Sequence, residues 1–187
     1  MSHKIGVIIG SSRPTRIGGQ VTEWVVKNLP TSDNATYEII DLAEWNLPFF
    51  DEPNTPSSGK PVVGEHTKKW KAHIDRFQAF VFVTAEYNAG YPAPLKNALD
   101  YLKAEWKDKP SLVISYGWDG GTSANNQLKE VLTRIGTKGV EMSPALGFSG
   151  PDMFDADDKI VDVDASYEKF AGEVKSAGQL VLTALEG

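Results

Sequence analysis

Residues 10–19, GSSRPTRIGG, put two hydroxyls and two arginines between an apolar run and an amphipathic one. That set of groups suits an anion. Ser11, Ser12, Arg13 and Arg16 offer charge-assisted hydrogen bonds to phosphate oxygens. A helix starting at Ile17 would add free N–H groups and the positive end of its dipole, and Pro14 would stiffen the loop. The spacing fits neither G-x-x-x-x-G-K-[ST] nor G-x-G-x-x-G, which argues against a nucleoside triphosphatase loop and the usual dinucleotide fingerprint. The phosphate of a mononucleotide remains, set against a plain surface loop with solvated arginines and a serine capping the helix.

Two further stretches carry candidate chemistry. In EYNAGYPAPLKNALDYL, residues 86–102, Glu86, Tyr87 and Asn88 end a very apolar run and Gly90 permits a tight turn. Tyr87 and Tyr91 could cover a flat heteroaromatic ring, or pack on loop residues as most aromatics do. In YGWDGGTSANN, residues 116–126, Gly117, Gly120 and Gly121 surround Trp118 and Asp119, where backbone can approach a ligand or simply turn. Other chemistries find less support. The chain has no cysteine, which excludes disulfides, thiolate catalysis and cysteine-ligated metals. His66 and His73 lie seven apart on one helix face without a third ligand at helical spacing, so no metal site is expected. No G-x-S-x-G elbow makes Ser11 or Ser12 a nucleophile, and the carboxylates form no glycosidase-like pair.

The three stretches need a scaffold that brings them together. Strand-like runs at 4–10, 37–42, 79–87, 111–117 and 139–148 alternate with helical stripes. The runs at 5–9, 79–83 and 112–116 are continuously apolar, as central parallel strands buried on both faces should be. The second and fifth runs, broken by polar residues or Pro144, suit sheet edges. Ile17, Val21, Trp24, Val25 and Leu29 make one stripe, and Val63, Trp70, Ile74 and Phe77 another. Leu95–Ala98–Leu99–Leu102 and Leu128–Val131–Leu132–Ile135 follow, and Phe170, Val174, Ala177, Val181 and Leu185 close the chain. Pro94 marks a helix start and Pro30 a helix end. The alternation predicts one doubly wound α/β domain over residues 1–187. In such sheets ligands lie beyond the C-terminal ends of the strands, where all three stretches fall.

Composition narrows the class. With 187 residues, 41% apolar, 24% charged and net charge −6, the chain reads as an ordinary globule. No apolar run approaches the roughly 20 residues of a membrane span, and the first ten residues lack a signal-peptide pattern. The acidic balance disfavours a nucleic-acid partner. A cytoplasmic protein is expected. The irregular stretch from Trp45 to Gly64, with Trp45, Phe49 and Phe50, offers an aromatic patch that a homodimer or homotetramer would bury.

GSSRPTRIG, EYNAGYPAPLKNALDYL and the glycines after the fourth strand resemble the NADPH-dependent FMN reductase family, a flavodoxin-like group that includes quinone, azo-dye and chromate reductases. The resemblance spans Lys4 to Phe148. It implies a five-stranded parallel sheet of order 2-1-3-4-5 with FMN at the switch point. It also implies that Ser11, Arg13, Arg16, Ile17 and Gly18 surround the FMN phosphate, and that Glu86, Tyr87, Asn88 and Gly90 border the isoalloxazine. Ser115, Tyr116, Gly117, Gly120 and Gly121 would line its other edge. Ala85 stands where the family has proline, which should loosen that loop. The implied reaction passes hydride from NADPH or NADH through FMN to a small acceptor such as a quinone, azo dye, free flavin or metal oxyanion. One arginine would instead, or also, meet the 2′-phosphate of NADPH. The cofactor carries the chemistry, so no catalytic side chain is expected. The alternatives are a flavodoxin-type electron carrier and a redox-responsive binding protein.

Overall fold

The computed structural model describes residues 2–186. The strands are β1 (His3–Ile9), β2 (Ala35–Asp41), β3 (Ala79–Ala85), β4 (Pro110–Gly117), β5 (Lys138–Gly139) and β6 (Ala145–Gly147). They form a parallel, flavodoxin-like sheet of order β2-β1-β3-β4-β5, with β6 also on β4. The central runs are continuously apolar because the period of two divides them between two cores. Ile5, Val7, Val81, Val83, Leu112 and Ile114 face one side. Ile8, Phe80, Phe82 and Val113 face the other.

Helices α1 (Gly18–Asn28), α2 (Leu42–Trp45), α3 (Glu65–Ile74), α4 (Ala93–Asp100), α5 (Thr122–Ile135), α6 (Val163–Tyr167) and α7 (Ala171–Glu186) complete the two outer layers. Val21, Trp24 and Val25 of α1 join Val174, Ala177 and Val181 of α7 in the first core. Trp70 and Ile74, Leu95 and Leu99, and Leu128 and Leu132 bring α3, α4 and α5 into the second. Full burial of each valine, leucine or isoleucine among them contributes about 1.5–3 kcal/mol. Trp70 and Trp106 also donate indole N–H groups to the Ala98 and Leu99 carbonyls, at 3.0 and 3.2 Å, which leaves neither buried nitrogen unpaired.

Three expectations change. The fifth strand position is shared by β5 and β6: Val140 N still donates to the Ser111 carbonyl at 2.9 Å, residues 141–143 then leave the ladder, and Pro144, with no N–H to give it, returns only its carbonyl, which accepts from Ser115 N at 3.1 Å. Val63 does not join its stripe: α3 begins at Glu65, and Val63 is exposed. The aromatic patch of the 45–64 stretch shrinks to Phe49, 84% exposed. Trp45 turns onto Trp70 with 4.9 Å between ring centroids, and Phe50 onto Tyr101 at 5.2 Å.

Candidate functional site

The β1, β3 and β4 loops meet beyond the strand ends around a cleft of about 510 Å³, within the roughly 300–1,000 Å³ common for small-molecule sites. Arg13, Arg16, Ile17, Glu86, Tyr87, Tyr116 and Gly117 line it, as do Ala85, Trp118, Asp119, Phe148, Phe154 and Asp158. Of the other expected residues, Ser11, Gly18, Ser115, Gly120 and Gly121 are buried behind these surfaces, while Asn88 and Gly90 lie in the β3 turn, outside the lining.

The arginines differ. Arg13 is exposed and has no carboxylate partner among the described residues. Arg16 is held against Asp41, at the end of β2, with 2.5 Å between Nη2 and Oδ2. Its Nε is buried without a partner among the described residues, a donor that an anion on the loop would satisfy. Ser11 is fully buried and turned inward, 3.2 Å from the Tyr116 hydroxyl. Burial pushes that phenol up to about 12, so it stays neutral. Gly18 packs against this pair: a Cβ there would lie 2.5 Å from Ser11 Oγ and 3.0 Å from Tyr116 Oη. Only glycine lets α1 begin that close.

The β3 loop is tighter than Ala85 suggests. Tyr87 and Gly90 exchange backbone hydrogen bonds of 2.8 and 3.1 Å around Asn88 and Ala89, whose φ values are 51° and 60°. This is the mirror-image turn that closes narrow hairpins. The left-handed positions are therefore Asn88 and Ala89 rather than Gly90, and alanine there costs roughly 1–2 kcal/mol. Gln127 of α5 holds the turn by donating to the Ala89 carbonyl at 2.7 Å. Glu86 accepts from Ala124 N at 3.0 Å, so its carboxylate caps the N-terminus of α5 while its flank lines the cleft. Tyr87, 40% exposed, presents its ring to the cleft.

In the β4 loop, Gly120 and Gly121 take φ values of 72° and 69°. Added Cβ atoms would come within 2.9 Å of the Ala145 carbonyl and the Tyr116 carbonyl respectively. These glycines shape the loop from behind. Ser115 does the same: its buried hydroxyl donates to the Gly120 carbonyl at 2.7 Å and accepts from Asn125 at 2.9 Å. Ser115, Gly120 and Gly121 thus support the wall formed by Gly117, Trp118 and Asp119.

A fourth wall went unseen in the sequence. After β6 the chain forms a small hairpin closed by the Phe154–Ile160 bridge. Asp155 Oδ1 accepts from the Asp157 and Lys159 amides, each at 2.9 Å. Gln20 of α1 exchanges hydrogen bonds of 2.9 and 3.1 Å with the Ile160 backbone. Lys159 reaches the Arg16 carbonyl at 2.9 Å. The hairpin brings Phe154 and Asp158 to the cleft, and Phe148 lies at its base. The Phe-Ser-Gly-Pro punctuation at 148–151 marks a turn but not its destination. The two helical histidines have different neighbours: His66 contacts Asp51 at 2.9 Å, and His73 packs at a tilt against Trp45.

The model of the NADPH-dependent FMN reductase family matches residues 3–149. The chain belongs to that family. It is therefore an oxidoreductase, a flavoprotein of the FMN- and NAD(P)H-using kind. It is 41% identical over 175 residues to an NAD(P)H-dependent FMN reductase of Schizosaccharomyces pombe, covering 93% of this chain and 86% of the relative. A quinone reductase of Pseudomonas putida is 28% identical over 185 residues, covering 92% and 95%. Among solved structures, the flavoenzyme FerB of Paracoccus denitrificans, an NAD(P)H:(acceptor) oxidoreductase, has a TM-score of 0.71 at 24% identity, covering 97% and 98%. That likeness shows the shared fold.

Proposed function

We propose that this family member transfers reducing equivalents from a reduced nicotinamide to a quinone or similar small acceptor at the cleft described above. The observation that carries the reading is Arg16 Nε, buried and, among the described residues, unpartnered on a helix-initiating loop that also carries the uncommitted Arg13. A phosphate on this loop would satisfy that donor, while the N-terminus of α1 supplies backbone amides. Ile17 and Gly18 set the path of the loop, and Ser11 and Tyr116 hold it from behind. The flavin ring would lie between the Tyr87 turn, stiffened by Gln127, and the backbone at Gly117. Bound FMN supplies reversible two-electron chemistry that no side chain of the cleft provides. Glu86, committed to α5, is left a structural part. Tyr116, kept neutral by burial, can donate or accept a hydrogen bond without changing charge.

One cleft with one phosphate loop supports a ping-pong order, nicotinamide first and acceptor second, because both planar substrates need the same face. Flavin released by heat should chromatograph as FMN, and initial-rate plots with NADPH or NADH and a quinone should be parallel. Released FAD, or intersecting plots, would overturn the respective part. Arg13→Ala should weaken FMN binding to the apoprotein about tenfold or more, since a hydrogen bond to a charged group contributes about 1.5–3 kcal/mol. An unchanged dissociation constant would place Arg13 outside the site.

The same proposal includes self-association. Phe49 is 84% exposed, beside a second cavity of about 430 Å³ bordered by Leu47, Pro48 and Pro94. A second copy of the chain would cover this apolar surface. Sedimentation equilibrium should give a dimer or tetramer at micromolar concentration; a species of 20.4 kDa alone would refute it.

A further inference from the structure

The outer part of the cleft has a chemistry of its own, distinct from the phosphate loop. Trp118, Phe148 and Phe154 meet edge to face: 5.4 Å and 83° between Trp118 and Phe148, 5.1 Å and 86° between Phe148 and Phe154, and 6.2 Å and 63° between Trp118 and Phe154. Edge-to-face packing of this kind fixes ring orientations. The two phenylalanines brace Trp118 while leaving it 62% exposed. An indole so braced is a stacking platform held ready before any ligand arrives.

The charges on the cleft are unevenly committed. Arg16 is paired with Asp41 and Glu86 caps α5. Arg13 is the cation that a cofactor phosphate would neutralise. Asp119, next to Trp118, and Asp158, on the hairpin, are both exposed and have no ion-pair partner among the described residues. With the phosphate on Arg13, these two carboxylates, with Glu86 behind them, leave this end of the cleft with an excess of negative charge. The chain as a whole adds net charge −6. A second planar molecule would therefore meet an indole face, which attracts cations, within a negative field that repels anions.

From this, and resting on the flavin reading above, we propose that the acceptor taken by this cleft is a planar aromatic carrying no negative charge. Among acceptors, which lack the nucleotide tail by which the nicotinamide donor can be held, neutral and cationic rings are favoured over anionic ones, with Trp118 as the platform and Asp119 and Asp158 setting the charge preference.

Three ligands built on one ring test the proposal: N-methylquinolinium (cationic), quinoline (neutral above pH 7) and quinoline-2-carboxylate (anionic). Their binding to the oxidised, FMN-loaded protein would be measured by isothermal titration, a readout independent of turnover. The cation should bind at least about fivefold more tightly than the anion at low salt, with quinoline between them. The gap should shrink as ionic strength rises. Trp118→Ala should weaken the cation and the neutral ligand several-fold, and Trp118→Phe should restore part of that affinity. Asp119→Asn with Asp158→Asn should narrow the gap between cation and anion. Equal or tighter binding of the carboxylate, with FMN present, would overturn the charge preference and leave the flavin reading intact. Unchanged affinities in Trp118→Ala would overturn the platform. A protein that holds no FMN would overturn the flavin reading, and the charge preference with it, because Arg13 would remain unneutralised.

Discussion

Two irregular segments, residues 46–64 and residues 148–162, are fastened to different parts of the molecule, and of the two it is the second that lines the cleft. The first is tied to α4. Asn97 accepts from Phe50 N at 2.9 Å and donates to the Pro48 carbonyl at 2.7 Å. The Tyr101 hydroxyl lies 3.1–3.2 Å from the Pro48 and Phe49 carbonyls and from Asp51. Glu52 accepts from Val63 N and Gly64 N, both at 2.8 Å, just ahead of α3. The second segment is tied instead to α1 and the phosphate loop, through Gln20 and Lys159. Both have their backbone groups engaged by side chains from the scaffold. The first thereby becomes part of the framework. The second brings Phe148, Phe154 and Asp158 to the cleft, and its anchor reaches the loop that would hold the cofactor. A segment's role thus depends on what it is fastened to more than on its length or composition.

Breaking one fastening at a time should separate the two roles. The largest effect on stability is expected from Asn97→Ala, which leaves the Phe50 N–H without its partner and removes one of the two donors to the Pro48 carbonyl, at about 1–3 kcal/mol. Thermal or denaturant unfolding would register the loss, while FMN affinity should stay unchanged. A parallel loss of affinity would erase the distinction between the segments. Gln20→Ala should lower global stability less, by about 1 kcal/mol, because it frees a peripheral hairpin. It should, however, raise hydrogen exchange at the Ile160 amide and weaken FMN binding several-fold. Normal exchange at Ile160 would mean that Lys159 and the aromatic contacts suffice.

A smaller effect sharpens the account of the first segment's root. His73 packs at a tilt against Trp45, with 4.9 Å between ring centroids and 52° between the planes. Burial lowers its pKa below the ordinary histidine value, Arg76 adds to the shift, and Glu38 opposes it. The sign follows from linkage. The unfolded chain takes up the proton near pH 6.5, before the folded one does, so the stability associated with neutral His73 is present above that pH. It is lost as pH falls through the unfolded value toward the lower, folded one. His73→Gln should flatten this part of the stability curve between about pH 7 and pH 5. An unchanged slope would assign the pH dependence to the carboxylates.

The strands and the three converging loops were legible because each is written locally, whereas the order of the strands in the sheet came with the family resemblance. Continuous apolar runs identify β1, β3 and β4, and the polar residues with Pro144 identify an edge. The family resemblance added the cofactor. Roles that depend on distant partners were not legible. Arg16 and Asp41 are 25 positions apart, and Glu86 and Ala124 are 38 apart. Neither pairing leaves a periodic trace in the sequence. Ser11 carries the hydroxyl expected of a phosphate ligand, but its place behind the loop depends on Tyr116, 105 positions away. The turn at Asn88 and Ala89 defied a residue-based rule, since the left-handed conformation fell on an alanine next to a glycine. Reciprocal backbone bonds and the Gln127 contact hold it there.

What the sequence determined by itself is therefore the layered α/β architecture and the edge of the sheet at which chemistry gathers. Hydrophobic period, turn residues and helix starts are short-range properties, and they act wherever they occur in the chain. The tertiary structure alone decided which charges are spent on the scaffold and which remain free. It also decided that a hairpin beyond β6 closes the cleft with aromatic rings. Pairing and burial depend on distances across the fold, and those distances exist only once the two cores have packed on the sheet.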